Sequence, residues 1–249
     1  MIDARHLSVS NRKTTYLIQD ISAQFSKGQC HIIVGPNGSG KTTFLKALCQ
    51  LQHHVEGAID IDGQSARDLN ELALARKISW TESEHHSPFA YTVKDIILWG
   101  RWPHHQGHPS QIDNDVLRQA AETMGLTDKL HRAVTTLSLG ERKKTYLAKS
   151  IASDTPYMIL DEPCGSLDIK ASVELMQQLR QAAKSGKTII MSLHDIDLAL
   201  CFADTMTILK NGRLAWHGPN EDKNCRIALS HAFDMRLNET WGNPNKYQI

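Results

Sequence analysis

The feature that most constrains this chain is a glycine-rich segment at positions 35–42, which reads Gly-Pro-Asn-Gly-Ser-Gly-Lys-Thr. It matches the pattern G-x-x-x-x-G-K-[ST] at every fixed position. The apolar run Cys30–Val34 before it predicts a buried strand, and Thr42–Leu51 after it predicts a helix. A strand, a glycine-rich loop and a helix in this order are typical of a loop that wraps a polyphosphate, because glycine lets several backbone N–H groups point inward. We therefore predict an α/β fold that binds a nucleoside triphosphate.

Two side chains at the end of this loop have specific expected roles. Lys41 should bridge the terminal phosphates, and the Thr42 hydroxyl should ligate Mg²⁺. The helix that follows should add the positive end of its dipole. The residues expected to contact the nucleotide are Gly35, Pro36, Asn37, Gly38, Ser39, Gly40, Lys41, Thr42 and Thr43. Kinases, GTPases and motors share this loop, so it does not by itself define the reaction.

A second apolar run, Tyr157–Leu160, predicts a strand that ends in two carboxylates. Asp161 is placed to hold the Mg²⁺ shell, directly or through water. Glu162, one residue later, can polarise the attacking water as a general base. An Asp-Glu pair seen alone would indicate a solvated turn after a core strand. The phosphate loop upstream favours a catalytic site instead.

Three further segments carry a family resemblance. The segment at 137–142 reads Leu-Ser-Leu-Gly-Glu-Arg, with Ser138 and Glu141 at capping-box spacing for a helix start. It resembles the LSGGQ/E signature of ABC-type ATPases. Ser166-Leu167-Asp168 resembles the D-loop of that family, and His194 stands after a predicted strand, where the family places its switch histidine. The resemblance covers roughly residues 1–220.

The resemblance implies a fold and a mechanism. The fold would be a P-loop NTPase of ABC type, with a mixed β-sheet core, an antiparallel β layer and an inserted all-helical lobe. Two copies would pair head to tail around two ATP molecules with Mg²⁺. Each ATP would lie between the phosphate loop of one copy and the signature of the other, while Asp168 and His194 would act with Glu162 in hydrolysis. The signature residues expected to bind nucleotide are Ser138, Leu139, Gly140 and Glu141.

The resemblance also implies partners and a cargo. The chain would drive transmembrane permease subunits from the cytoplasmic face of the membrane, with a periplasmic or extracellular substrate-binding protein acting indirectly. Ile97–Pro103 and Leu193–Ala199 look most like importers of iron–siderophore, haem and cobalamin chelates. Two alternatives stay open: an ABC-type ATPase of DNA repair or translation, and a regulatory subunit that binds ATP but hydrolyses it weakly.

The apolar pattern divides the chain into regions of one domain, 1–249. Residues 1–83 and 155–220 are expected to form the α/β core with its β layer, because strand and helix patterns alternate after position 155. The sequence predicts a strand at Tyr157–Leu160, a helix at Ala171–Lys184, a strand at Thr188–Leu193 and a helix at Asp195–Phe202. Asn211-Gly212 then predicts the turn of a terminal hairpin. Residues 84–154 are expected to form the helical lobe, and 221–249 a C-terminal helix and tail. The lobe prediction uses a capping box at Thr92-Val-Lys-Asp95 and two amphipathic sets: Ile112, Val116, Leu117, Ala120 and Met124, then Leu147, Ala148, Ile151 and Ala152.

Charge and cysteine content exclude several classes of function. The chain has 28 basic and 27 acidic residues, so its net charge of +1 does not indicate bulk nucleic-acid binding. The five cysteines are scattered and form no CxxC pair, which excludes a sequence-evident zinc site. Apolar runs are all shorter than a membrane-spanning helix.

Three positions depart from the ABC-type pattern. Leu139 stands where the signature usually has glycine, and a side chain there is expected to crowd the nucleotide of the partner copy. Ser83 falls at the position of the Q-loop glutamine, with Glu82 and Glu84 as possible substitute ligands. An aromatic residue usually stacks on adenine near positions 11–12, where this chain has Asn and Arg. Arg12 could stack through its guanidinium plane, and Tyr16 is the nearest aromatic residue.

The chain has 13 histidines, many of them in two clusters at 85–86 and 104–108. Imidazoles suit zinc or copper, so metal binding is one interpretation. Adjacent histidines point apart, however, and the favoured interpretation is a solvated loop. An interface role is the intermediate interpretation, because residues around 84–110 touch the membrane subunit in the family that the chain resembles.

Overall fold

The strand predicted before the glycine-rich loop lies inside a mixed sheet. The computed structural model describes residues 1–11, 15–82, 89–237 and 241–243. In these ranges the strands are β1 Ile2–Asn11, β2 Thr15–Phe25, β3 Cys30–Val34, β4 Val55–Ile61, β5 Gln64–Ser65, β6 Ile78–Thr81, β7 Tyr157–Leu160, β8 Thr188–Ser192, β9 Thr205–Lys210 and β10 Arg213–Pro219. The α-helices are α1 Lys41–Leu48, α2 Glu71–Ala75, α3 Val93–Trp99, α4 Trp102–His105, α5 Gln111–Thr123, α6 Leu139–Ala152, α7 Ile169–Lys184, α8 Ile196–Phe202 and α9 Lys223–Phe233.

The larger sheet has the strand order β10-β9-β3-β8-β7-β6. β3 runs parallel to β8 and β9, β7 runs parallel to β6 and β8, and only the β9–β10 pairing in this sheet is antiparallel within the described residues. The carboxyl ends of β3, β7 and β8 therefore meet at one edge. This is the edge at which ligands bind in open parallel sheets, and the phosphate loop, the carboxylate pair and His194 all follow these three strands.

The predicted antiparallel β layer is confirmed as a second sheet with the order β2-β1-β4-β5. Alternating side chains of β3 pack into two different hydrophobic cores, one on each face of the sheet. Ile33 packs with α1 and the second sheet, whereas Ile32 packs on the opposite face, towards α7, α8 and the helical lobe. Phe44 and Leu45 of α1 are fully buried between the two sheets. The helix behind the phosphate loop is thus held on both sides by packed apolar side chains.

The helices α3, α4, α5 and α6 follow one another between β6 and β7. The predicted capping box at Thr92 and Asp95 is confirmed, and the same arrangement begins α5 at Ser110 and α6 at Ser138. The predicted mixed sheet and helical lobe are confirmed by these elements.

One side chain in the predicted apolar face of α5 is misassigned. Ile112 is 70% exposed, because the inward position of the first turn belongs to its neighbour Asp113. Asp113 closes the capping box and accepts a hydrogen bond from Arg101 Nε at 3.0 Å, with both side chains almost fully buried. Buried charges require such pairing. Hydrogen bonds from the side chain and backbone of Ser110, and to a smaller extent Arg101, hold the pKa of Asp113 well below its usual range against the opposing effect of burial.

The elements after β7 include the helix and the hairpin that the sequence predicts, but some of their first or last residues differ from the prediction. The predicted helix at 171–184 begins earlier, at Ile169, because the Asp168 carboxylate accepts a hydrogen bond from the Ala171 amide and caps the helix. The terminal hairpin around Asn211-Gly212 is confirmed, and α9 fills the expected short C-terminal helix. In the part of the chain that the structure describes, every helix is too short or too polar to cross a bilayer.

Candidate functional site

The phosphate loop owes its shape to two glycines. Gly40 caps α1 with a φ of 98°, and a Cβ atom there would lie 2.4 Å from Ile18 Cγ2. A Cβ atom at Gly35 would lie 2.2 Å from the Leu209 carbonyl oxygen. Side chains at either position would therefore push the loop away from β2 or β9. The first backbone N–H groups of α1 lack partners within the helix, as at every helix start, and are available to an anion.

Lys41 lies inside this loop. Its Nζ atom donates to the carbonyl oxygens of Gly35 at 2.8 Å and Pro36 at 3.4 Å. Burial lowers the pKa of the Lys41 ammonium, and the nearby carboxylates of Glu162 and Asp161 oppose that shift. An anionic ligand would relieve the desolvation, because it supplies the negative charge that a buried cation lacks.

The first carboxylate of the pair is held on both oxygens. Thr42 Oγ1 donates to Asp161 Oδ2 at 2.8 Å, and Ser192 Oγ donates to Asp161 Oδ1 at 2.6 Å. The Ser192 oxygen also accepts from the Glu162 amide at 2.9 Å. These contacts depend on the neighbouring positions of β7 and β8 in the sheet. They place a carboxylate and a hydroxyl side by side at the mouth of the phosphate loop.

The second carboxylate faces the histidine at the end of the next strand. His194 Nε2 lies 2.5 Å from Glu162 Oε1, and the two side chains remain 49% and 26% exposed. Glu162 has a φ of 49°, a left-handed conformation that is uncommon outside glycine and is maintained only where surrounding contacts fix it. In this conformation the Glu162 carboxylate contacts His194, whereas the Asp161 carboxylate contacts Thr42 and Ser192.

The phosphate loop, Glu162 and His194 line one cleft of about 410 Å³. Its lining residues are Leu17, Asn37, Gly38, Ser39, Gly40, Lys41, Thr42, Thr43, Glu162 and His194. The structure thus brings the predicted phosphate loop together with Glu162 and His194, the residues for which the sequence predicts the roles of general base and switch histidine. A polyphosphate fits this lining, since the buried Ser39 hydroxyl in the loop has no hydrogen-bond partner among the described residues.

Among the described residues, the cleft is lined by one apolar side chain, Leu17, and by no phenylalanine, tyrosine or tryptophan. Leu17 on β2 is 43% exposed and lines the cleft, whereas its neighbour Tyr16 lies outside the lining and directs its hydroxyl at Glu56. The Arg12 alternative lies outside the described residues, and so does Ser83 at the Q-loop position.

The signature residues and Asp168 are absent from the cleft of the same chain, as the described residues define it. Ser138 caps α6, and Glu141 closes the capping box with hydrogen bonds that lower its pKa. Leu139 is 60% exposed at the tip of α6. Asp168 is exposed and caps α7. The tip of α6 is therefore an exposed helix start that has no phosphate loop of its own chain beside it.

Metal binding by the histidine clusters finds no support in the described residues, in which no three His, Cys, Asp or Glu side chains converge on one point. The predicted solvated loop at 104–108 is in part helical. His104 and His105 belong to α4, where His104 contacts the Ser153 carbonyl and His105 packs against Trp102. The cluster at 85–86 lies outside the described residues.

Sequence reasoning missed two residues of this site. Ser192 was treated as part of a core strand, and a hydroxyl in an otherwise apolar buried run is the signal that could have identified it. Leu17 carries no comparable signal, because an exposed leucine in a strand is common on protein surfaces.

Three comparisons with known proteins bear on this site. The family model described as ABC transporter matches residues 18–165. The petrobactin import ATP-binding protein YclP of Bacillus subtilis (strain 168) is 34% identical over 238 residues, covering 95% of this chain and 94% of that protein. The iron(3+)-hydroxamate import ATP-binding protein FhuC of the same organism is 29% identical, covering 81% and 76%. A solved inward-facing structure, described as a metal-chelate type ABC transporter, has 25% identity and a TM-score of 0.79, covering 94% of this chain and 88% of that one.

Proposed function

The chain belongs to the ABC transporter family, and we propose that it is the ATP-hydrolysing subunit of an importer of metal chelates, such as an iron–siderophore, haem or cobalamin. The observation that carries the proposal is the single cleft in which the phosphate loop faces Glu162 and His194. The names of its relatives favour this function over a role in DNA repair or translation, because YclP and FhuC are import proteins.

The phosphate loop would bind the β- and γ-phosphates of ATP. Backbone N–H groups at the start of α1 would donate to the phosphate oxygens, and Lys41 would exchange its carbonyl partners for them. Leu17 would cover one side of the nucleotide. With an aliphatic contact in place of an aromatic one, most of the binding free energy is expected to come from the phosphates.

The oxygen ligands fit Mg²⁺. The Thr42 hydroxyl and the Asp161 carboxylate are hard oxygen donors 2.8 Å apart, and Mg²⁺ is typically held by one or two such protein ligands together with water and phosphate oxygens. Thr42 would bind directly and Asp161 directly or through water, and the ion would offset the charge that develops on the phosphates. Ser192 would keep the Asp161 carboxylate oriented, since it donates to the oxygen that Thr42 does not contact.

Glu162 would act as the general base in hydrolysis. Its carboxylate would take the proton of a water that attacks the γ-phosphate, with ADP as the leaving group. His194 Nε2 lies 2.5 Å from this carboxylate and would hold the base at the edge of the cleft. Once ATP is bound, the single ring N–H of His194 would donate to the γ-phosphate instead. The presence of Glu162 and His194 in the cleft favours a subunit that hydrolyses ATP over one that binds ATP without hydrolysing it.

A second copy of the chain would complete each site. The tip of α6 presents the positive end of a helix and the exposed residues Ser138 and Leu139. We propose that it covers the ATP held by the partner, with Gly140 and Glu141 in the same helix turn and Asp168 at the interface. Leu139 would add a side chain where most signatures have glycine. It would therefore reduce the space over the nucleotide.

Permease subunits would bind the helical lobe at the cytoplasmic face of the membrane. Phe89, Trp99 and Trp102 are exposed in the region that the family resemblance assigns to this contact, and aromatic residues are enriched in protein interfaces. A substrate-binding protein would take part only indirectly, because it lies on the other side of the membrane.

Affinity purification of the tagged full chain from detergent-solubilised membranes tests this function. We expect co-purification of a membrane protein with several spanning helices, and steady-state phosphate release by the purified complex. Cells that express the untagged chain provide the control. Recovery of nucleic acid in place of a membrane protein would favour the DNA-repair or translation alternative, and a complex without phosphate release would favour the weakly hydrolysing one.

A further inference from the structure

Lys143 is a buried cation in α6 that the proposed function leaves without a role. It lies about 6 Å along the helix axis from Leu139 at the tip, given the rise of about 1.5 Å per residue. The residue is only 6% exposed, which is rare for lysine and indicates a specific contact. Its neighbour Lys144 on the same helix is more exposed.

The ammonium group of Lys143 is directed at the backbone of the proposed general base. Lys143 Nζ donates a short hydrogen bond to the Glu162 carbonyl oxygen. The same oxygen accepts from the Gly165 amide at 3.1 Å, and a Cβ atom at Gly165 would lie 3.0 Å from Lys143 Nζ. The lysine therefore fills the concave side of the turn formed by residues 162–165.

This contact completes the support of a residue in an unfavourable conformation. The Glu162 amide is held by Ser192 Oγ at 2.9 Å, its carbonyl by Lys143 and Gly165, and its φ of 49° lies in the left-handed region. Hydrogen bonds from a charged donor are stronger than those between neutral groups. Removing the lysine would let the turn relax and move the Glu162 carboxylate relative to His194.

We propose that Lys143 is a positioning residue that links the tip of α6 to the Glu162 of its own chain. The inference rests on the proposed function, in which that tip covers the ATP of the partner copy. Because Leu139 and Lys143 belong to one rigid helix, docking of the tip on the partner's nucleotide fixes the ammonium group against the Glu162 turn. Each copy thereby aligns its own base when it covers the partner's ATP.

The first test needs no nucleotide. In Lys143→Met, which is one atom shorter than lysine and removes its donors, we expect amide hydrogens at 162–167 to exchange faster in the nucleotide-free full chain. Lys144→Met loses the same charge from the same helix and should leave this exchange unchanged. Equal protection of 162–167 in wild type and Lys143→Met would overturn the proposal.

The second test asks whether the lysine acts within its own chain. It uses heterodimers purified with two different tags, in which one copy carries Glu162→Gln and the other copy keeps Glu162. Lys143→Met is placed in the copy with Glu162→Gln in the first arrangement and in the copy with the intact Glu162 in the second. Misplacement of a catalytic group costs about tenfold to a hundredfold in rate. We expect a kcat loss of at least about tenfold, with KM for ATP unchanged, only when Lys143→Met shares a chain with the intact Glu162. Lys143→Gln, which restores a neutral donor, should recover part of that loss.

Equal rates in the two arrangements would overturn the proposal. A loss of kcat in Lys144→Met as large as in Lys143→Met would do the same. Failure of the proposed function has a separate signature, because wild-type dimers would then release no phosphate while the exchange difference at 162–167 persisted.

Discussion

Replacing Glu162 by glutamine is expected to stop hydrolysis and leave an ATP-bound dimer. The amide keeps the size of the side chain and can still contact His194, but it cannot take a proton from the attacking water. General bases contribute roughly a hundredfold to ten-thousandfold in rate, and we expect a fall in kcat of that order. Steady-state phosphate release and size-exclusion chromatography in Mg²⁺-ATP measure the two effects.

The matched control for this substitution is Glu174→Gln, which alters an exposed carboxylate on α7 outside the cleft. It should hydrolyse ATP at the wild-type rate and show no accumulated dimer. Wild-type activity in Glu162→Gln would exclude Glu162 as the base, and a similar fall in both variants would indicate a general loss of structure.

Replacing Lys41 by alanine is expected to abolish tight ATP binding. The ammonium is already buried within the loop and near both site carboxylates, and it is the cation that the cleft offers to the γ-phosphate. Truncating one partner of a buried charge pair costs about 2–5 kcal/mol, which predicts a Kd increase of at least about thirtyfold. Isothermal titration calorimetry with ATP measures the change directly.

Lys46→Ala is the control for Lys41→Ala. Lys46 lies on the same helix but pairs with Glu82 at 3.0 Å and does not line the cleft. Its substitution should leave Kd for ATP within about threefold of wild type, as expected for surface ion pairs worth about 0–1 kcal/mol. Tight ATP binding by Lys41→Ala would contradict the assigned role of the loop.

The local parts of this site were predictable, because they are contiguous in sequence. The phosphate loop, the carboxylate pair after β7 and the capping box at Ser138 each need only a few consecutive residues, and each appears as expected. The contacts between strands were not predictable. The two hydrogen bonds of Ser192 depend on β8 lying beside β7, which no local pattern specifies.

The errors in the fold also have a local physical origin. Periodicity assigned Ile112 to the apolar face of α5, but a buried ion pair between Arg101 and Asp113 takes the inward position. Apolar periodicity cannot anticipate a carboxylate that faces inward. The sequence predicted α7 to begin at Ala171, two residues late, because apolar periodicity does not reveal that the Asp168 carboxylate accepts from the Ala171 amide and caps the helix.

The departures from the family pattern affect the two faces of the nucleotide differently. Leu17 would take the place of an aromatic contact within the chain, whereas Leu139 would act on the partner's nucleotide and only after the dimer closes. Leu17 in place of an aromatic side chain is expected to weaken ATP binding by the single chain. Leu139 is expected to affect dimerisation. Lys143, four residues after Leu139, would connect that closure to the Glu162 turn.

Crosslinking between copies tests the central claim most directly. One chain carries Asn37→Cys in the phosphate loop and the other carries Ser138→Cys at the tip of α6, both in the Glu162→Gln background, so that a 37–138 disulfide can only join two copies. Calorimetry on each variant verifies that ATP still binds, and Gln119→Cys, exposed elsewhere in the lobe, replaces Ser138→Cys as the control. The account predicts a 37–138 link, identified by mass spectrometry, that forms with Mg²⁺-ATP and not without it. ATP-bound chains that form no such link, or that link position 37 to 119 instead, would contradict the account.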